Sequence, residues 1–131
     1  MRAIENKFPS LRRNLPILSP SGGDLYRVEP ASGVCEVILY SPKREIALED
    51  LCVPNIKKII NLRQEKTNQL EKKPYVKYIF IFENRGEAIG VTKNHPHGQV
   101  YAYPFILPFI LKRLEESRKY FKEKRKSGLS P

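Results

Sequence analysis

Apolar and polar residues follow three different patterns along this chain. Residues 35–41, CEVILYS, form a short β-branched and aromatic run between Gly33 and Pro42. A run of that kind, bounded by turn residues, predicts a strand. From about 54 to 72 the period changes. Ile56, Ile59, Ile60, Arg63, Lys66, Thr67 and Leu70 recur at i, i+3, i+4 spacing and predict a helix. Pro54 suits its first turn, where a missing N–H is harmless. Lysines gather at its far end, where the helix dipole favours cations. Residues 75–84, YVKYIFIFEN, are almost all β-branched or aromatic. That density predicts a strand in a central position. RGEAIGVTKN has no helical period and reads as a loop, and HGQVYAYPF returns to strand character. Pro108 opens a last helix that sets Phe109, Ile110, Leu114 and Phe121 near one face.

The first 33 residues, including LPILSPSGGD, read as loop and turn. The order is then strand, helix, strand, strand, helix. Two strands joined by a loop of about ten residues suggest an antiparallel pair, and the whole predicts an α+β fold, an antiparallel sheet packed with helices. One domain over residues 1–126 is expected, followed by a disordered tail at 127–131.

Composition narrows the class. The chain has 131 residues, 40% hydrophobic and 10% aromatic, enough for a buried core. It has no apolar run of membrane-spanning length and no signal-peptide pattern at its start, so a cytoplasmic protein is expected. Cys35 and Cys52 lack the spacing of a redox pair or disulfide framework and read as small buried thiols. The net charge of +10 is concentrated in part in RKYFKEKRK and at Arg12–Arg13. Such a run reads first as a solvated helix face. Nucleic-acid binding ranks last, because Tyr120 and Phe121 fall beside the helix's own apolar face, where packing is expected.

The two histidines of the chain, His95 and His97, lie together in NHPHGQV. On an extended segment His95, His97 and Gln99 share a face. Pro96 stiffens the segment, and Gly98 lets a ligand or another backbone approach. Neutral imidazole there can ligate a transition metal, act as general base, or attack an electrophile such as phosphorus. A Gln99 amide can donate to a phosphate oxygen.

Residues 82–105, FENRGEAIGVTKNHPHGQVYAYPF, resemble the active-site segment of the galactose-1-phosphate uridylyltransferases of the histidine-triad superfamily. RAIENKFPSL at 2–11 and PASGVCEVILYSP at 30–42 are similar to further elements of that family. The resemblance covers most of the chain but only the middle of the family's N-terminal half. It implies a histidine-triad-like fold. It also implies that His97 is the nucleophile, taking a uridylyl group from UDP-glucose and passing it to galactose 1-phosphate. Gln99 falls on the residue that holds the phosphoryl oxygens. Asn84, Gly90 and Thr92 fall on positions lining the phosphate site, and Asn6 and Lys7 on the element that contacts the uridine. His95 falls on a structural zinc ligand of many members. The usual Cys-x-x-Cys partner is missing, and another ligand position holds Arg44, which cannot coordinate. The chemistry needs no cofactor, and zinc held by this chain alone is not expected. A homodimer, or association with a missing second domain, is expected. Two alternatives stay open: an adenylyl-type nucleotide-sugar or dinucleoside-polyphosphate phosphorylase, and a truncated nucleotide-binding module without turnover.

Overall fold

The computed structural model describes residues 1–13, 15, 30–43, 46–86 and 95–126. Within them run β1 (Arg2–Glu5), β2 (Val34–Leu39), α1 (Val53–Leu70), β3 (Tyr78–Phe82), β4 (His97–Tyr103) and α2 (Pro108–Lys126). The strands form one antiparallel sheet in the order β1-β2-β4-β3. The α+β class is as expected.

Register sorts the side chains onto two faces. Ile38 pairs with Gly98, Glu36 with Val100 and Val34 with Ala102. These residues face α1, with Ile79 and Ile81 of β3 beside them. Ile38, Val100 and Ala102 are fully buried against Ile59 and Leu70 of the helix. Burying a residue such as Ile38 contributes on the order of 1.5–3 kcal/mol. The helix also turns polar groups inward. Lys66 Nζ meets Glu36 at 2.9 Å, and Arg63 donates to the Tyr40 hydroxyl.

The opposite face carries His97, Gln99, Tyr101 and Tyr103 of β4, beside Phe82, Phe80 and Tyr78 of β3. Their rings form a ladder. Phe80 stacks on Phe82 at 5.0 Å between centroids, and Phe82 meets Tyr101 edge-on at 5.0 Å. Such geometries suit the ring quadrupoles.

Several expectations change. β1 lies in a stretch read as loop. Only four residues long, it gains its hydrogen bonds from β2 and has no strong pattern of its own. β3 is an edge strand of the described sheet rather than a central one. It is apolar on both faces because one packs on α1 and the other joins the aromatic ladder. It also starts at Tyr78, because Pro74 and the Lys73–Val76 turn occupy the residues before it. α1 ends at Leu70, so Lys72 and Lys73 lie beyond its last turn and Glu71 caps it. Ile60 is 58% exposed and leaves the inward stripe. Cys35 is buried, whereas Cys52, at the start of α1, is exposed, and both are free thiols. Of residues 108–125 in α2, only Ile110 is not exposed. Tyr120 and Phe121 therefore do not pack among the described residues, and the basic run is solvated as expected. The tail at 127–131 lies outside the described residues. No described helix is long and apolar enough to cross a membrane.

Just past β3, Arg85 makes a two-pronged pair with Glu49, at 2.6 and 2.8 Å. The guanidinium holds the Glu49 carboxyl down at about 2. A depressed carboxylate contributes stability above its ordinary range, and that contribution is lost as pH falls through the folded value. The pair is fully exposed, so its effect on stability is expected to be small.

Two outcomes follow from this packing. Gly98→Ala forces a Cβ onto the Tyr40 hydroxyl and within 3.4 Å of the Phe82 carbonyl oxygen. Denaturant melts are expected to show a loss of about 1–3 kcal/mol, the usual cost of overpacking. An NMR titration of the Glu49 side-chain carboxyl is expected to give a midpoint near 2. Arg85→Gln is expected to return it toward the ordinary carboxylate range.

Candidate functional site

β4 opens at His97, and its two-residue period carries Gln99 onto the same face. Pairing places Leu39 and then Arg2 beside His97, and Val37 and then Ile4 beside Gln99. Phe82 closes the Gln99 row from the other side. Both site side chains are half-buried. The sequence expectation of a shared face therefore holds for these two. His95 differs. It sits in a bend before the strand, and its documented contact is through its backbone carbonyl.

That contact defines the chemistry of His97. Its Nδ1 lies 2.7 Å from the His95 carbonyl oxygen. A carbonyl can only accept, so Nδ1 carries the proton in this bond. In the neutral ring the lone pair then belongs to Nε2. The local chain fixes the tautomer within three residues, and Pro96 restrains the backbone between the two partners. A neutral imidazole with a defined lone pair can attack an electrophilic centre or take a proton.

The remaining expected residues distribute as follows. Asn84 is exposed and lies two residues beyond the Phe82–Gln99 pair, at the end of the sheet where His97 begins β4. Asn6 follows β1, and its N–H donates to the Cys35 carbonyl at 3.0 Å. Its side chain accepts from the Phe8 N–H, also at 3.0 Å, which turns the chain after the strand. Lys7 is exposed, with its ammonium 5.5 Å from the Phe8 ring centroid. Asn6 and Lys7 thus lie toward the Tyr101 end of the sheet rather than beside His97. Gly90 and Thr92 lie outside the described residues, as does Arg44. Ser10 Oγ reaches the Tyr101 hydroxyl at 3.5 Å, so the segment after Lys7 returns over the aromatic face. Burial pushes the Cys35 thiol up, against backbone hydrogen bonds from Leu11 and Ser10.

His95 was the candidate metal ligand. Among the described residues no three His, Cys, Asp or Glu side chains gather as a metal site would need. The described donors by themselves do not make up a zinc site.

Sequence reasoning placed Arg63 on a helix stripe and Tyr40 in a strand, and gave neither a part in the site. Together they back it. Tyr40 is buried beneath Gly98, the residue between His97 and Gln99. Gly98 therefore admits the Tyr40 ring, with the Phe82 backbone carbonyl also close. Burial pushes the Tyr40 phenol up, against the Arg63 guanidinium beside it, while the Glu83 carboxylate adds to the rise. One signal was present in the sequence. An arginine at an inward helix position must find a polar partner.

Known proteins resemble this chain in sequence and fold. A galactose-1-phosphate uridylyltransferase from Thermotoga maritima is 39% identical over 123 residues, spanning 94% of this chain and 39% of that protein. The same-named protein of Rattus norvegicus is 38% identical over 119 residues, 90% of this chain and 30% of its own length. An ADP-glucose phosphorylase of Arabidopsis thaliana is 33% identical over 125 residues, 94% of this chain and 35% of its own. A solved uridylyltransferase mutant superposes with a TM-score of 0.85 at 32% identity, over 93% of this chain and 39% of that one. An Arabidopsis thaliana ADP-glucose phosphorylase with bound ADP-glucose superposes with a TM-score of 0.80 at 30% identity, over 93% and 37%. The chain thus spans well under half the length of these relatives. The family model for the N-terminal domain of galactose-1-phosphate uridyl transferase matches residues 1–107, from β1 through the whole of β4. On that match, across the strands that hold His97 and Gln99, the chain belongs to the galactose-1-phosphate uridylyltransferase family.

Proposed function

We propose that this chain carries the nucleotidyl-transfer centre of a uridylyltransferase, with His97 as nucleophile. The observation that carries the reading is the Nδ1 hydrogen bond to the His95 carbonyl, which leaves the Nε2 lone pair for attack. Nε2 attacks the α-phosphorus of UDP-glucose. The bond from that phosphorus to the bridging oxygen breaks, and glucose 1-phosphate leaves with the electron pair. The product is a uridylyl-histidine whose ring charge is stabilised by the His95 carbonyl. A phosphate oxygen of galactose 1-phosphate then attacks the same phosphorus and returns the imidazole. Splitting one displacement into two suits a nucleophile that is also a good leaving group.

Gln99, two residues along the same face, holds the phosphoryl oxygens through its amide. Such transfers depend mainly on alignment and charge stabilisation. Asn84, Gly90 and Thr92 line the phosphates, and Asn6 and Lys7 meet the uridine. The net charge of +10 favours a doubly phosphorylated substrate at long range. The protein works in the cytoplasm, as a homodimer or with a further domain of the kind its longer relatives have room for. A second reading has its own support. The ADP-glucose phosphorylase relative matches nearly the whole chain, so an adenylyl group is the rival cargo.

Intact mass spectrometry after mixing with UDP-glucose tests the nucleophile. A uridylyl adduct is expected, removed by galactose 1-phosphate and never formed by His97→Asn. ADP-glucose in a parallel arm separates the two cargoes. No adduct from either donor, with the protein folded, would leave a nucleotide-binding module without turnover. Gln99→Ala is expected to slow adduct formation by about 10²–10³-fold, as for loss of one charge-stabilising donor.

A further inference from the structure

We infer that Tyr40 and Arg63 act together as positioning residues for His97, an inference that rests on the reading of His97 as nucleophile. Tyr40 holds the chain on both sides of that residue. Before it, the Tyr40 N–H donates to the Pro96 carbonyl at 3.1 Å. After it, the Tyr40 phenol lies so close to Gly98 that an added Cβ would overlap the hydroxyl and stand 3.0 Å from Cζ. The ring is only 1% exposed, so close-packed neighbours prevent it from withdrawing.

Arg63 sets where the phenol sits. Its Nη2 donates to the Tyr40 hydroxyl, and its Cζ lies 5.4 Å from the ring centroid. Both residues belong to the α1 side of the sheet, whereas the His97 and Gln99 side chains occupy the other face. Neither therefore reaches the reacting atoms, and they act through the backbone of 96–98. Packing alone gives no reason for an arginine here. The apolar members of the inward face of α1 are Ile56, Ile59, Leu62 and Leu70, and its other inward cation, Lys66, meets Glu36. Arg63 Nε is buried and finds no partner among the described residues. A half-satisfied cation is a poor way to stabilise a core, but it fixes one geometry. The geometry it fixes runs through Tyr40 to the two peptide units flanking His97. If that grip loosens, the 2.7 Å bond from Nδ1 to the His95 carbonyl lengthens. The ring proton can then move to Nε2, and the attacking lone pair is lost from the nitrogen that needs it.

The test uses the full ¹⁵N-labelled chain and the unliganded protein first. With two histidines in the sequence, long-range ¹H–¹⁵N spectra resolve each ring. His97 of the wild type is expected as the Nδ1–H tautomer. Tyr40→Phe and Arg63→Met are expected to give a mixed tautomer at His97, while His95 signals and near-ultraviolet circular dichroism persist. Adduct formation from UDP-glucose is expected to slow about ten- to a hundredfold, as for misplacement of a reacting group. The half-saturating donor concentration should not change, and Arg63→Lys should recover part of the rate. Wild-type tautomer and rate in the Arg63 variants would overturn the inference. So would loss of both histidine signals together with the dichroism, which marks general unfolding. Should Tyr40→Phe not fold, the two Arg63 variants carry the same readouts. Absence of adduct in the wild type would sink the nucleophile assignment instead, and the tautomer comparison would still decide the positioning.

Discussion

From Val34 opposite Ala102 to Leu39 opposite His97, the pairing of β2 with β4 governs both faces of this molecule. Side chains alternate along a strand, so a slip of one residue would exchange the two faces. In the observed register Gly98, Val100 and Ala102 meet Ile38 and the helix. The same register necessarily turns His97 and Gln99 the other way. The buried face holds the site in place, and burial of Ile38, Val100 and Ala102 resists the slip that would destroy it. The placement of His97 and Gln99 and the stability of the core are two consequences of one set of hydrogen bonds.

Polar groups on the helix side complicate this simple sheet-and-helix core. Glu36 meets Lys66, and Tyr40 meets Arg63, both on the α1 side of the sheet. Two charged groups brought toward an interior are costly unless each is matched. Lys66 and Glu36 approach to 2.9 Å as an ion pair, although Glu36 Oε2 makes no hydrogen bond among the described residues. Arg63 is matched at Nη2 and not at Nε among the described residues.

The elements were legible where a single face decides the pattern. The α1 period, the β-branched run of β2 and the alternation in HGQVYAY each reflect burial on one side, and each appears in the fold. Failures occurred where a neighbour supplies what the sequence lacks. β1 exists because β2 offers it an edge. β3 looked central because an apolar run shows that both faces are covered without showing whether both edges are paired. Ile60 fits the helical count yet is exposed, because an i, i+4 count does not show where the buried face ends.

By itself, the sequence determined the α+β class, the shared face of His97 and Gln99, and the family, since these depend on local period and on a short contiguous motif. The resemblance pointed to His97 as nucleophile. Tertiary structure decided what lies around that motif. It put the proton of His97 on Nδ1 through a carbonyl two residues away, and it filled the space left by Gly98 with Tyr40. It also carried Arg63 from a helix to the underside of β4, and it left His95 without the companions a metal would need among the described residues. The contacts of Tyr40 with Gly98 and with Arg63 join residues far apart in the chain. No local pattern encodes them, because their energy comes from which surfaces are brought together on folding.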